Sequence, residues 1–402
     1  MPDHDVDILA RARAQQDALV TFARRLIQTP SLPGEEGAVA ALMQEEMRRL
    51  GYDEVRSDEV GNVIGLVRGR AAGRSVMLNT HLDHVSPGDP SLWTDDPYAA
   101  SVRDGAIYGR AAVDIKGPLA CQVYGGALLL ADGLRPAGDV YVAGVVYEEC
   151  GGIGTRHLAR TLPTDSAVIG EPSSNTLRRG HRGRLGIIVE VRGRAAHASV
   201  PDRAVNPHHV MAAFLLRMRD LPMRQQEPFG ASSCAPTLYS TDNTSSNVIP
   251  STARLFVDWR NVPAESPEEA VATLQSVLDE CLIAGSTGIV RLDMEYLHTY
   301  TGLEETVPSV AEAFVLEEDN PVVATARAAL ESLLGRPFPP DIWRFATDGG
   351  RLMAQNIPVV GFGPGDETQA HVADEHIAIA EMVEAVAANA ALARALSAMP
   401  AG

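Results

Sequence analysis

The chain has 402 residues, with 52 Asp and Glu against 34 Lys and Arg, a formal charge of -18. A balance this acidic excludes nucleic acid and anionic membrane surfaces as partners, because phosphate binding draws on clustered cations. Hydrophobic residues make up 45% of the chain, and its length exceeds what one core usually spans, so a globular protein of two domains is expected.

No run approaches the ~18 apolar residues of a membrane span. The start, MPDHDVD, is acidic where a secretory signal is basic, so a cytoplasmic location is expected. Cys121, Cys150, Cys234 and Cys281 are widely spaced with no C-x-x-C pair, which disfavours disulfides and a zinc ribbon and predicts reduced packing residues.

In chain order, apolar spacing predicts a helix over 6–28, a T-P-S-L-P-G turn, and a helix over 35–50 ended by Gly51. Strand-like runs follow through Val55 and over 63–67 and 76–78, then a helix over 117–130, a strand over 140–146, a short helix over 153–160 and a strand over 167–169. This alternation predicts an α/β domain with a mostly parallel sheet and helices on both faces. From about residue 179 the order becomes strand (185–191), helix (204–219), strands (236–241 and 253–259), helix (267–283) and strand (289–297), the split α+β arrangement of a ferredoxin-like unit. A helix over 321–334, a strand over 358–362 and a terminal helix over 377–398 restore the first pattern. The expected domains are therefore a discontinuous one, 1–178 with 298–402, and an inserted one, 179–297.

Candidate ligands fall where strands of the first domain meet loops. They are His81 in VMLNTHLDHV, Asp114 in GRAAVDIKG, Glu148 and Glu149 in VVYEECGG, Glu171 in VIGEPSS and His371 in GPGDETQAHVADEH. Two imidazoles with several carboxylates just past apolar strands suit a pair of divalent metals. Two such cations need a bridging carboxylate, and Asp114 has the short side chain for it. His81 and Glu171 would complete one site, Glu149 and His371 the other. Neighbours in a regular strand face opposite ways. Glu148 and Glu149 can thus serve one site only if the strand has broken before Gly151-Gly152. Glu148 is then the general base and acid acting on a metal-activated water. Asp83 is placed to accept the second ring N–H of His81.

Together, H-x-D, GR-x-x-x-D-x-KG, the Glu-Glu pair, E-P-S and the late G-P-G…H resemble the dinuclear zinc family of acetylornithine deacetylase, succinyl-diaminopimelate desuccinylase, aminoacylase and glutamate carboxypeptidase. The resemblance covers essentially the whole chain and is greatest to the acetylornithine deacetylase and carrier-linked lysine hydrolase branches. It implies two zinc ions, with cobalt or manganese as substitutes, a cis peptide after Asp114, and a homodimer formed through the inserted lid. It also implies that His197 holds the oxyanion, often from the partner subunit, and that Arg260 and Asn247 hold the substrate carboxylate. The loop 361–365, with Gly363 at its centre, would be a backbone cradle for the same group. Ala111 where glycine is usual, and His84 where a small or β-branched residue is common, depart from the pattern and put metal preference or the entrance in question. The expected reaction is hydrolysis of the amide bond of an N-acyl-L-amino acid. Exopeptidase action on short peptides is the alternative, and an inactive binding relative a remoter one.

Overall fold

The runs at 63–67, 76–81, 140–145 and 166–169 have almost no polar alternation, so strands built from them must be covered on both faces. They are neighbours in a nine-stranded sheet, and all their residues are buried except the half-buried Tyr141. The computed structural model describes residues 3–400; Met1 and Pro2, part of the acidic start behind the expected location, lie outside the described residues. The sheet runs Glu54–Ser57, Val63–Val67, Val140–Val145, Val76–His81, Ser166–Ile169, Val359–Gly361, Arg178–His181 and Phe314–Val315, with Asp341–Trp343 also on Arg178–His181. Its central strands pair in parallel. The edges are antiparallel, so the sheet is more mixed than alternation alone implies. Val76 and Leu78 enter one apolar core and Met77 the opposite one, which is how a single strand is closed off from water on both sides.

Helices flank this sheet as expected, with one difference. The first helix is two, Asp3–Ala14 and Gln16–Ile27, separated at Gln15 (φ -96°, ψ 1°). The break lets Ile8 and Ala12 bury independently of Leu19, Phe22 and Leu26. Gly51 closes Gly37–Leu50 at φ 87°, the left-handed cap that glycine adopts without penalty. No helix among the described residues is long and apolar enough to cross a membrane.

A second sheet contains Ser233–Thr241, Thr252–Arg260, Arg184–Arg192 and Thr287–Leu292 in that order, all antiparallel. Helices Pro207–Met218 and Pro267–Cys281 pack on it through Phe214, Leu274 and Leu278, against Ile187, Val189 and Trp259. This is the split arrangement. The run expected as one strand over 289–297 divides at Asp293, whose amide bonds Gly186. Beyond it Met294–His298 pairs with Glu304–Pro308 as a separate ribbon. The chain enters the second sheet after Arg178–His181 and returns to the first at Phe314–Val315.

Two buried histidines lock loops near the sheets. Thr347 N–H donates to His181 Nε2 at 3.1 Å, and Nδ1 faces the Arg182 carbonyl at 2.8 Å. His84 is held in the same way by the Ser31 N–H and the Val85 carbonyl. It is buried and packs the loop whose next residue, Val85, lines the cavity over the centre. Burial pushes both imidazoles down to about 4. A histidine whose folded pKa is depressed stabilises fully above its unfolded pKa, near 6.5, and loses that contribution as pH falls towards 4. At pH 5 the loss from His181 alone is about 2 kcal/mol relative to pH 8. Urea midpoints at the two pH values should show it. His181→Gln should be less stable at pH 8 and lose less on acidification; an unchanged pH dependence would contradict this account of His181.

Candidate metal centre

Six of the side chains singled out from the sequence converge beyond the carboxyl ends of the central strands. His81 ends Val76–His81, Glu171 lies two residues after Ser166–Ile169, and Glu148 and Glu149 follow Val140–Val145. Asp114 lies in the tight turn Ala112–Lys116, before a cis peptide to Ile115. His371 arrives from the distant loop after Glu367–Gln369. Asp114 divides its carboxylate between the imidazoles, with Oδ1 3.1 Å from His81 Nε2 and Oδ2 3.0 Å from His371 Nε2. Glu171 Oε1 is 3.5 Å from the same nitrogen of His81, and Glu149 Oε1 is 3.2 Å from that of His371. Ligand atoms of His81, Asp114 and Glu149 lie within 4.8 Å of one another, as do those of His81, Glu148 and Glu171.

Local backbone explains how adjacent glutamates share one site. The strand ends at Val145, and Tyr147 takes the left-handed region at φ 60°. The amides of Glu148 and Glu149 then both donate to the Asp83 carboxylate, each at 3.1 Å. Asp83 is thus a loop organiser. Against His81 Nδ1 its carbonyl, at 3.0 Å, is nearer than its carboxylate, at 3.5 Å. Gly152 is required where it stands, since a Cβ there would lie 1.9 Å from Arg351 Nε.

Charge makes the same case for cations. Burial and neighbouring carboxylates raise Glu148 and Glu149, and burial brings Glu171 to about 7. Burial opposes ionisation of Asp114 too, yet hydrogen bonds from His371 and His81 hold it below the usual range. Bonds to Asp114 and Glu149 lift His371 to about 10. So many buried acids can ionise together only around positive charge. With two imidazoles and a carboxylate that faces both halves, the donor set fits divalent metals, and those nitrogens would then bind metal rather than protons.

Other residues hold the centre in place, and sequence reasoning passed over them. Glu375 is fully buried and accepts the Val113 amide at 2.8 Å, the Asp114 amide at 3.0 Å, the Ala111 amide at 3.2 Å and Arg110 Nη1 at 2.5 Å. This fixes the turn from which Asp114 projects. Ala111 sits there at φ 69°, a conformation that explains why glycine is usual at this position. Arg351, also buried, pairs with Asp348 and comes within 3.9 Å of Glu148 Oε1. The signal for Glu375 was an acid four residues after His371 in a segment whose other acids are exposed or half-buried; burial is not readable from one sequence.

A cavity of about 510 Å³ opens over Glu148, Glu149, Glu171 and His371 and is lined on its far side by Arg184 and Arg260. Cys150 also lines it, and burial and nearby carboxylates push its thiol up to about 12, which disfavours a thiolate at neutral pH. Cys121 and Cys281 are buried and all four cysteines are free. Arg260 is committed to Asp258 through Nε at 2.6 Å and Nη2 at 3.3 Å. Gly363 donates its amide to Ser173 Oγ and accepts the Asn175 amide on its carbonyl, which ties its loop to the Glu171 turn. His197 is exposed, next to Ser199 Oγ at 2.8 Å, and Asn247 lies beside it, its carbonyl accepting the Ala198 amide. Neither lines the cavity.

Fold and site together define a metal-dependent amidohydrolase. The chain belongs to peptidase family M20/M25/M40, which matches it over residues 77–395. It is 30% identical over 390 residues to a succinyl-diaminopimelate desuccinylase of a Bradyrhizobium strain, covering 91% of this chain and 95% of that one. The fold is shared with aminopeptidase PepT from Bacillus cereus, at a TM-score of 0.74 and 19% identity, over 95% and 98% of the two chains. It is also shared with Bacillus subtilis YXEP, a dinuclear metal binding peptidase from the M20 family, at a TM-score of 0.69 and 15% identity, over 95% and 98%.

Glu375→Ala should leave the protein folded and weaken metal binding by ~10- to 100-fold, the usual effect of losing a partner that orients a ligand. Calorimetric titration with zinc checks this, and unchanged affinity would show that the turn holds its shape without Glu375.

Proposed function

We propose that the chain hydrolyses the amide bond of an N-acyl-L-amino acid, with His81, Asp114 and Glu171 holding one divalent cation and Asp114, Glu149 and His371 a second. The observation that carries this reading is the division of the Asp114 carboxylate between two imidazoles. Zinc is the proposed native metal, as the borderline ion that suits mixed imidazole and carboxylate donors, with cobalt or manganese as substitutes. Bound there, such cations polarise the scissile carbonyl and lower the pKa of the attacking water.

The remaining work belongs to side chains. Glu148 lines the cavity and makes no side-chain hydrogen bond among the described residues, with Arg351 as its nearest cation outside the ligand set. It takes one proton from the water as the oxygen attacks the carbonyl carbon. It then delivers that proton to the nitrogen as the C–N bond breaks, leaving a carboxylic acid and a free amine, and the acid's proton passes to the amine to give a carboxylate and an ammonium group. We propose the inserted segment 179–297, with the ribbon that follows it, as a lid that pairs about a two-fold axis and presents His197 to the oxyanion of the neighbouring subunit. The edge strand Ser233–Thr241, with Leu238 and Tyr239 exposed, supports that pairing. Exopeptidase action on short peptides would use the same groups.

Glu148→Ala should retain its metals and lose ~100-fold or more of kcat. A panel of N-acetyl and N-succinyl amino acids and dipeptides, assayed with zinc or cobalt, separates the two substrate classes. Dipeptide turnover alone would replace the deacylase reading, and loss of metal in Glu148→Ala with retention in Glu149→Ala would reverse the two glutamate roles. Full activity at monomeric mass in sedimentation would remove His197 from the neighbour's site.

A further inference from the structure

Arg184 opens strand Arg184–Arg192 and Arg260 ends Thr252–Arg260, and these two strands are antiparallel neighbours. Asp258 pairs with Gly186 and Trp259 with Leu185, so the next step of the register sets Arg260 opposite Arg184 on one face of the sheet. Like charges in directly opposed positions destabilise a sheet. Here the repulsion is relieved by a single acid. Asp258 accepts Arg184 Nε at 3.0 Å on Oδ2 and Arg260 Nε at 2.6 Å on Oδ1. Two guanidinium groups against one carboxylate leave one positive charge, and both arginines line the cavity over the metal centre.

Two further acids line the cavity: Glu295 accepts the Ser309 hydroxyl, and Glu367 has Arg178, at 3.9 Å, as its nearest cation. Both terminal nitrogens of Arg184 and Nη1 of Arg260 have no protein acceptor among the described residues, while the two side chains remain 43% and 39% exposed. Free, oriented guanidinium N–H groups are what a carboxylate requires.

Resting on the deacylase reading above, we propose that Arg184 and Arg260, spaced by Asp258, form one carboxylate clamp, and that Arg184 is a specificity-determining residue for substrates with a free α-carboxylate. Arg260 alone has its Nε and one terminal nitrogen turned to Asp258, so the paired face comes from both arginines. Asp258 is a positioning residue. It holds the two cations at one spacing.

The test uses the zinc-loaded full chain and its Arg184→Ala, Arg184→Lys and Arg260→Ala variants. N-acetyl-L-alanine, N-acetyl-L-lysine and N-succinyl-L-alanine are each supplied as the free acid and as the α-carboxamide. KM and kcat are measured for every compound turned over, and calorimetric affinity for those that are not. The clamp predicts that wild type prefers acid to carboxamide at least ~10-fold, the usual weight of hydrogen bonds to a charged group. Arg184→Ala and Arg260→Ala should each erase most of that preference, mainly through KM, because the acid loses far more affinity than the carboxamide. Arg184→Lys, which keeps the charge and loses the planar fork, should recover only part. An acid preference unchanged in Arg184→Ala, equal losses for acid and carboxamide, or no preference in wild type would overturn the clamp. Preference in binding without turnover of any of these compounds would instead overturn the deacylase reading and leave the clamp standing.

Discussion

The two oxygens of Asp114 are the constraint on which the centre depends. A carboxylate that must face two imidazoles 3.0 and 3.1 Å away has little freedom, and the backbone around it is correspondingly fixed. Glu375 gathers three amides of the same turn and the Arg110 guanidinium. The acid that aims the bridge is itself fully buried, and burial brings it to about 7 despite Arg110. Four hydrogen bonds are what make a buried carboxyl tolerable there.

The same economy of backbone recurs at the other ligands. Asp83 collects the amides of Glu148 and Glu149, which turns two consecutive residues towards one space. Gly363 and Ser173 tie the loop 361–365 to the turn that carries Glu171, where a Cβ on Gly363 would lie 2.4 Å from the Glu171 carbonyl. Asp114, the Glu148-Glu149 pair and Glu171 are thus each held through backbone contacts to a different part of the chain. Site and sheet are one packing problem, because the central strands end where these partners begin.

Sequence carried most of the fold, for stated physical reasons. Runs buried on both faces announced the central strands, and the ferredoxin-like order of the second sheet followed from its alternation and two helical periods. What it did not carry was set by tertiary contact. The break at Gln15 has no glycine or proline to mark it. The division at Asp293 depends on a bond to Gly186 across the sheet. At the centre, residue types gave the convergent set, since few arrangements other than a metal site place two histidines and four acids after apolar strands. Glu375, Arg351 and Arg184 were illegible because their meaning lies in burial or in a cross-strand neighbour. Arg260 was singled out, but its tie to Asp258 gives it a partner in Arg184 that no spacing along the chain reveals.

We propose that one carboxylate, that of Asp114, joins two metal sites. Elemental analysis after equilibration with excess zinc and gel filtration tests it most directly, on wild type beside Asp114→Ala with the fold of both checked by circular dichroism. A bridging Asp114 predicts about two zinc ions per wild-type chain and no more than one in the variant, because both sites lose a ligand together. One zinc per wild-type chain, or two retained in a folded Asp114→Ala, would contradict the account.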